Sequence, residues 1–152
     1  MHNPTQEKGF TLIEILLAIG ILAILATAAI IAINPARQFA IARNTQRWSD
    51  VDAIANAVYQ YAVSHKGKLP PEILTGDNMS YICLTGVPNC GGISLDSITT
   101  DSTYLVAVPT DPSCPGSCSA GTTGYAMSIN AVGRVHIMAP NAELGETINF
   151  AR

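Results

Sequence analysis

The chain has 152 residues, a net charge of −3 and few charged residues for its size: 12% against 48% hydrophobic. That length allows one stem and one small domain. With no basic run, the composition gives no sign of nucleic-acid binding.

The apolar residues are concentrated near the start. From Phe10 to Ile33 there are 24 residues, and Glu14 is the only charge among them. At ~1.5 Å per residue a helix of that length spans about 36 Å, enough to cross a ~30 Å hydrocarbon core. A carboxylate inside such a run is expensive and tends to mark function. Met1 to Gly9 does not read as a secretory signal peptide, because the apolar run follows the junction rather than preceding it.

The junction Lys8-Gly9-Phe10-Thr11-Leu12-Ile13-Glu14 resembles the processing site of type IV pilins and of the pseudopilins of type II secretion. The resemblance implies that a prepilin peptidase cuts after Gly9, that Phe10 becomes the N-methylated mature N-terminus, and that Glu14 is the carboxylate needed for filament assembly. Elementary electrostatics agrees: Glu14 lies one turn from the amine the cut exposes. Pairing with such an amine on a neighbouring subunit neutralises both charges inside an apolar bundle. The stem resemblance runs from about Lys8 to Pro70, and the tail after Thr122 also has a pilin look.

The apolar run ends at Asn34-Pro35. Proline removes a backbone donor and clashes with the preceding turn, so a kink or local unwinding is expected there. Many pilins carry their first helix proline several residues earlier, where this chain has Ile31. The helix then resumes with Val51, Ile54, Val58 and Tyr61 on one stripe, widened by Ala55 and Ala62. Arg47, Asp50 and Gln60 are read as lying off that stripe, and Trp48 as a packing or subunit-contact residue. Gly67 reads as the helix stop, with His65, Lys66 and Lys68 suited to the negative end, and Leu69-Pro70-Pro71 closing it.

The head is less regular. Ser80 to Leu84 has the look of a short strand. Leu95, Ile98 and Leu105 fit a short helix or irregular turns. Pro109-Thr110-Asp111-Pro112 reads as a turn. It is similar to an element of the major pseudopilin of type II secretion that precedes a calcium site, but the continuation differs and calcium is not carried over. In the tail Tyr125, Met127 and Ile129 alternate, Asn130 to Gly133 forms a hairpin loop, Val135 and Ile137 alternate again, and Ile148 and Phe150 suggest a further strand.

The cysteines fall in two close pairs, Cys83/Cys90 and Cys114/Cys118. An exported head of this size has little core, so disulfides would help it. Three connectivities are possible, with local pairing favoured. The spacing does not fit the short knuckles of zinc sites. Beyond Pro70 the head holds seven acids (Glu72, Asp77, Asp96, Asp101, Asp111, Glu143, Glu146) against Arg134 and Arg152, whereas the stem holds Arg37, Arg43 and Arg47. Attraction between basic stems and acidic heads of different subunits is one reading; a solvated surface is the plainer one. Counting cations beside the apolar run places the head in the cytoplasm, but the resemblance and the cysteines place it outside.

Catalytic chemistry is not legible. His2, His65 and His136 form no cluster in sequence, no nucleophile motif surrounds the serines, and there is no phosphate loop. Asn78-Met79-Ser80 is a formal sequon, and the Ser/Thr-rich stretch from Ser94 to Thr123 reads as plain loop or a sugar-carrying one. The expectation is therefore an α+β protein that is not an enzyme and needs no cofactor or metal. Its long N-terminal helical stem, transmembrane in the first half, packs on a small antiparallel sheet. The expected segments are a leader (1–9), a transmembrane and assembly half (10–33), an amphipathic half (34–66) and a globular head (67–152).

The resemblance implies a structural subunit of a type IV pilus. Its partners would be further copies of itself in a helical filament, the peptidase, an assembly ATPase with its platform, and the membrane. The precursor would sit in the cytoplasmic membrane and end in an extracellular pilus. A pseudopilin in a periplasmic pseudopilus is the alternative within the family. An uncleaved single-pass membrane-anchored binding domain is the alternative outside it.

Overall fold

The computed structural model describes residues 9–73, 76–87 and 89–151. Most of the expected leader, with His2 and Lys8, lies outside the described residues, as do Arg152 and the side chain of Asp77. The chain divides into two units, Met1–Gln38 and Phe39–Arg152.

The first unit is dominated by helix α1 (Leu12–Ile33), which is exposed along its whole length. It is long and apolar enough to cross a membrane. Thr11 starts it: its backbone is extended and its Oγ1 accepts from the Glu14 N–H at 3.3 Å, satisfying one of the helix's orphan donors. Asn34 ends it in a left-handed conformation, φ 50°. The same residue opens helix α2 (Pro35–Ser64), because Asn34 Oδ1 accepts from Arg37 N at 3.3 Å. Pro35 then occupies the first helical position, where its missing N–H costs nothing.

In the second unit α2 supplies Val51, Ile54, Ala55, Ala57 and Val58 to the core. The helix stops over His65–Gly67, where the Gly67 N–H reaches back to the Ala62 carbonyl at 2.7 Å. Lys66 takes the first left-handed position, φ 57°, and Gly67 follows at φ 84°. Four strands follow: β1 (Gly76–Cys83), β2 (Thr122–Ile129), β3 (Val135–Ala139) and β4 (Ile148–Ala151). They form one antiparallel sheet in the order β1-β2-β3-β4. A short helix α3 (Asp96–Thr99) and a 3₁₀ turn lie between β1 and β2.

The layout is thus α+β: an apolar helix, a second helix, and a four-stranded antiparallel sheet. Tyr125, Met127 and Ile129 of β2, Val135, Ile137 and Ala139 of β3 and Ile148 of β4 join the α2 stripe in one core cluster, completed by Ile82, Leu95 and Ile98. β2 is buried at every position; the residues alternating with its core-facing side chains are Thr122, Gly124, Ala126 and Ser128. The β2–β3 loop is organised by Asn130, whose Oδ1 accepts from Val132 N at 3.1 Å and Arg134 N at 2.9 Å.

β1 begins earlier than the expected Ser80 and carries two register shifts against β2. Its far edge is partly covered by the Ile93 segment, which bonds to Tyr81 and Cys83. Pro109 to Asp111 is not the turn that composition predicts. Asp111 N bonds to the Thr123 carbonyl at 2.8 Å, so this stretch runs beside the start of β2, and the turn begins at Asp111, whose carbonyl accepts from Cys114 N.

Candidate functional site

Two places carry chemistry: the junction ahead of α1 and a polar network between α2 and two head loops.

At the junction, Gly9 and Phe10 lie outside the helix, and Phe10 is 80% exposed. The Gly9–Phe10 bond is therefore in non-helical chain, which is the form a protease active site can grip. Thr11 caps immediately after it, so the helix starts only two residues beyond that bond. Glu14 sits in the first turn and is exposed. A carboxylate there faces the positive end of the helix dipole and lies four residues beyond Phe10.

The cysteines pair as Cys83–Cys90 and Cys114–Cys118, spanning separations of seven and four residues. Closing loops this short is worth about 2–2.5 kcal/mol each by chain entropy. The second bridge packs on Gly124. A Cβ there would lie 2.7 Å from Cys118 Sγ and 2.8 Å from Asp111 Cβ, and the residue has φ +84°, so only glycine fits.

Asp111 is the anchor of the network. Its two oxygens accept from Arg47 Nε at 2.7 Å and Nη2 at 3.1 Å, and the Ser113 N–H adds a third bond at 2.8 Å. Both side chains of this pair are completely buried. The other guanidinium nitrogen of Arg47 donates to Asn44 Oδ1 at 2.8 Å. Glu143, on the loop before β4, is held by Arg43 in a two-pronged contact at 2.7 and 2.6 Å. Asn44 donates to the Glu143 carbonyl and to Glu146, and Trp48 Nε1 donates to the other Glu146 oxygen at 2.8 Å. One helical turn on, Asp50 accepts from Gln46 at 2.7 Å and from the Tyr125 hydroxyl at 2.6 Å. Among the described residues no buried side-chain polar atom lacks a partner.

The electrostatics follow from these contacts. The Arg43 hydrogen bonds, helped by Arg47, hold the Glu143 carboxyl at about 2, well below its ordinary 4.5. Burial pushes the Arg47 guanidinium down, but the Asp111 and Glu143 contacts together outweigh it and its net shift is upward. Burial and the bond to Asp50 raise the Tyr125 phenol, so it stays protonated and donates.

This network corrects the reading of α2. Arg47 and Asp50 were expected off the apolar stripe, yet they are buried, 0% and 5% exposed. The geometry was available: Arg47, Val51, Ile54 and Val58 fall at i, i+4, i+7 and i+11 on one face. Their polarity hid it, since charged residues are buried only when paired, and the partners lie far along the chain. The network also changes the reading of the basic stem, because Arg43 and Arg47 pair with acids of their own head. Asp111, the residue of the calcium-like element, has both oxygens engaged by Arg47. No cluster of metal-ligating side chains occurs among the described residues.

Residues 4–30 match the family description "prokaryotic N-terminal methylation motif". No curated protein and no solved structure matches the chain. The match covers the junction, Phe10, Glu14 and most of α1. Through it the chain carries the signature of the type IV pilins and pseudopilins.

Proposed function

We propose that this protein is a structural subunit of a type IV pilus. A prepilin peptidase removes residues 1–9 and methylates the Phe10 amine. The precursor is held in the cytoplasmic membrane by α1 with its head outside, and an ATPase-driven platform draws subunits into a helical filament. Two sources of free energy drive assembly. One is van der Waals packing of α1 against neighbouring stems. Its surface is exposed at every position in the single chain, and lipid already shields it from water, so close packing rather than transfer from water supplies the gain. The other is pairing of Glu14 with the Phe10 amine of a neighbour, which removes two charges from lipid. Asn34–Pro35 serves as the joint between the assembly segment and the head-bearing segment.

The observation that carries this reading is the conjunction at the start of the chain. A bond in exposed non-helical backbone, a capped helix and a single exposed carboxylate in its first turn stand within six residues, Gly9 to Glu14, inside a matched methylation motif. A plain membrane anchor needs none of the first three. The test is Glu14→Ala. The variant should insert and be cleaved normally, yet surface filaments should be lost or sparse. Normal filaments in that strain would sink the proposal.

A pseudopilin of type II secretion is the second reading, favoured by the Pro109–Pro112 element. Imaging separates the two, since a pilus subunit appears in filaments sheared from the cell surface and a pseudopilin stays with the envelope.

A further inference from the structure

Beyond the network, one region of the head gathers rings and cations beside two surface clefts. At the end of α2 the rings of Tyr61 and His65 stack with centroids 3.9 Å apart, and Tyr104 meets both edge-on at 5.6 and 6.5 Å. A cleft of about 400 Å³ opens beside Tyr61 and His65 and is flanked by Lys66 and Lys68. A second cleft of about 410 Å³, lined in part by Asn56, Gln60, Thr103 and Tyr104, shares Ser64 with the first. Both lie wholly within the second unit. Each is shallow and open to solvent, a form that suits an extended chain laid along the surface rather than an enclosed small molecule.

Cations at a helix C-terminus offset the negative end of the helix dipole, and Tyr61 and Tyr104 pack their inner sides on the core. Neither role gives the two lysines a counter-charge: their ammonium groups pair with no carboxylate among the described residues, and they stand beside the three rings. The lining chemistry is specific. Rings accept the C–H face of a sugar, amides and hydroxyls match its hydroxyl groups, and the lysines match a carboxylate.

We propose that the two clefts form one binding site for an acidic oligosaccharide. A sugar ring rests on the Tyr61–His65–Tyr104 cluster, its carboxylate meets Lys66 and Lys68, and an adjoining residue bonds to Asn56, Gln60 and Ser64. Single-stranded nucleic acid also stacks on rings, but it carries a charge at every nucleotide and draws its affinity from many phosphate contacts. A head with seven acids, and two lysines at this site, is poorly matched to that charge density. The site is independent of whether the filament is a pilus or a pseudopilus.

The test is calorimetric titration of the purified full chain in detergent with oligogalacturonate. Saturable binding is expected, weakening as salt rises. Lys66→Gln/Lys68→Gln should weaken it by about fivefold and flatten the salt dependence. Tyr104→Ala should weaken it by about tenfold through loss of ring contact. Tyr104 also packs on the core, so the exposed lysine pair is the decisive variant. Arg134→Gln should bind as the parent does. No binding of oligogalacturonate, or unchanged binding by the double lysine variant, overturns the proposal. So does tighter binding of oligothymidylate, which assigns the clefts to nucleic acid, or equal binding of uncharged malto-oligosaccharide.

Discussion

Replacing Arg47 by Met tests the network at its most sensitive point. Arg47 and Asp111 have no exposed side-chain surface. The substitution removes both guanidinium bonds to Asp111 and leaves that carboxylate buried with the Ser113 N–H as its remaining partner. Removing one partner of a buried pair costs about 3–5 kcal/mol, because the other charge keeps its desolvation penalty. For a unit the size of Phe39–Arg152, each kcal/mol moves Tm by about 3–5 °C, so a drop of about 10–25 °C is expected. The assay is thermal unfolding of the detergent-solubilised chain followed by near-ultraviolet circular dichroism, which reports the packing of Trp48 and the tyrosines and not α1. The double variant Arg47→Met/Asp111→Leu leaves no orphaned charge. It should recover most of the loss, since apolar replacements of buried pairs are often neutral or better. A single variant melting within about 3 °C of the parent would refute the reasoning, and so would a double variant no better than the single one.

Glu143→Gln tests the acid limb. Its folded-state pKa, about 2, lies below its ordinary 4.5, so its stabilisation is complete above about 4.5 and is lost as pH falls towards 2. The variant should melt below the parent at neutral pH, and the gap should close across that window; a gap that stays constant to low pH would contradict the assignment. Gly124→Ala should fail to form the native head, because it combines a left-handed backbone with overlap on Cys118 and Asp111; recovery of correctly paired disulfides, read by peptide mass mapping, checks this. Chelation with EDTA, or addition of calcium, should leave Tm unchanged, because Arg47 already occupies both Asp111 oxygens. A gain of several degrees in calcium would show a metal site instead.

The legible parts of this fold are those set by local pattern. The run from Phe10 to Ile33 contains one charge, so α1 is specified by composition alone. Tyr125, Met127, Ile129, Val135 and Ile137 alternate, and they became the core-facing residues of β2 and β3. What stayed hidden depends on partners distant in sequence. Arg47 meets Asp111 across 64 positions and Tyr125 meets Asp50 across 75. No local rule marks a charge as buried when its counter-charge lies in another loop. The first half of β1 was missed because Gly76 to Met79 shows no alternation and pairs through a register shift. The ring cluster at the end of α2 was unread for a similar reason: Tyr61 and His65 are one turn apart, but Tyr104 joins them only through the fold. The junction was readable because everything that defines it lies within Lys8 to Glu14.

The central claim is that the chain is a processed filament subunit, and its N-terminus reports this most directly. Intact-mass and N-terminal analysis should be made on filaments sheared from cells, beside the membrane fraction. The account predicts a chain beginning at N-methylated Phe10, abundant in the sheared filaments, with all four cysteines oxidised. A chain still beginning at Met1 in both fractions would contradict it.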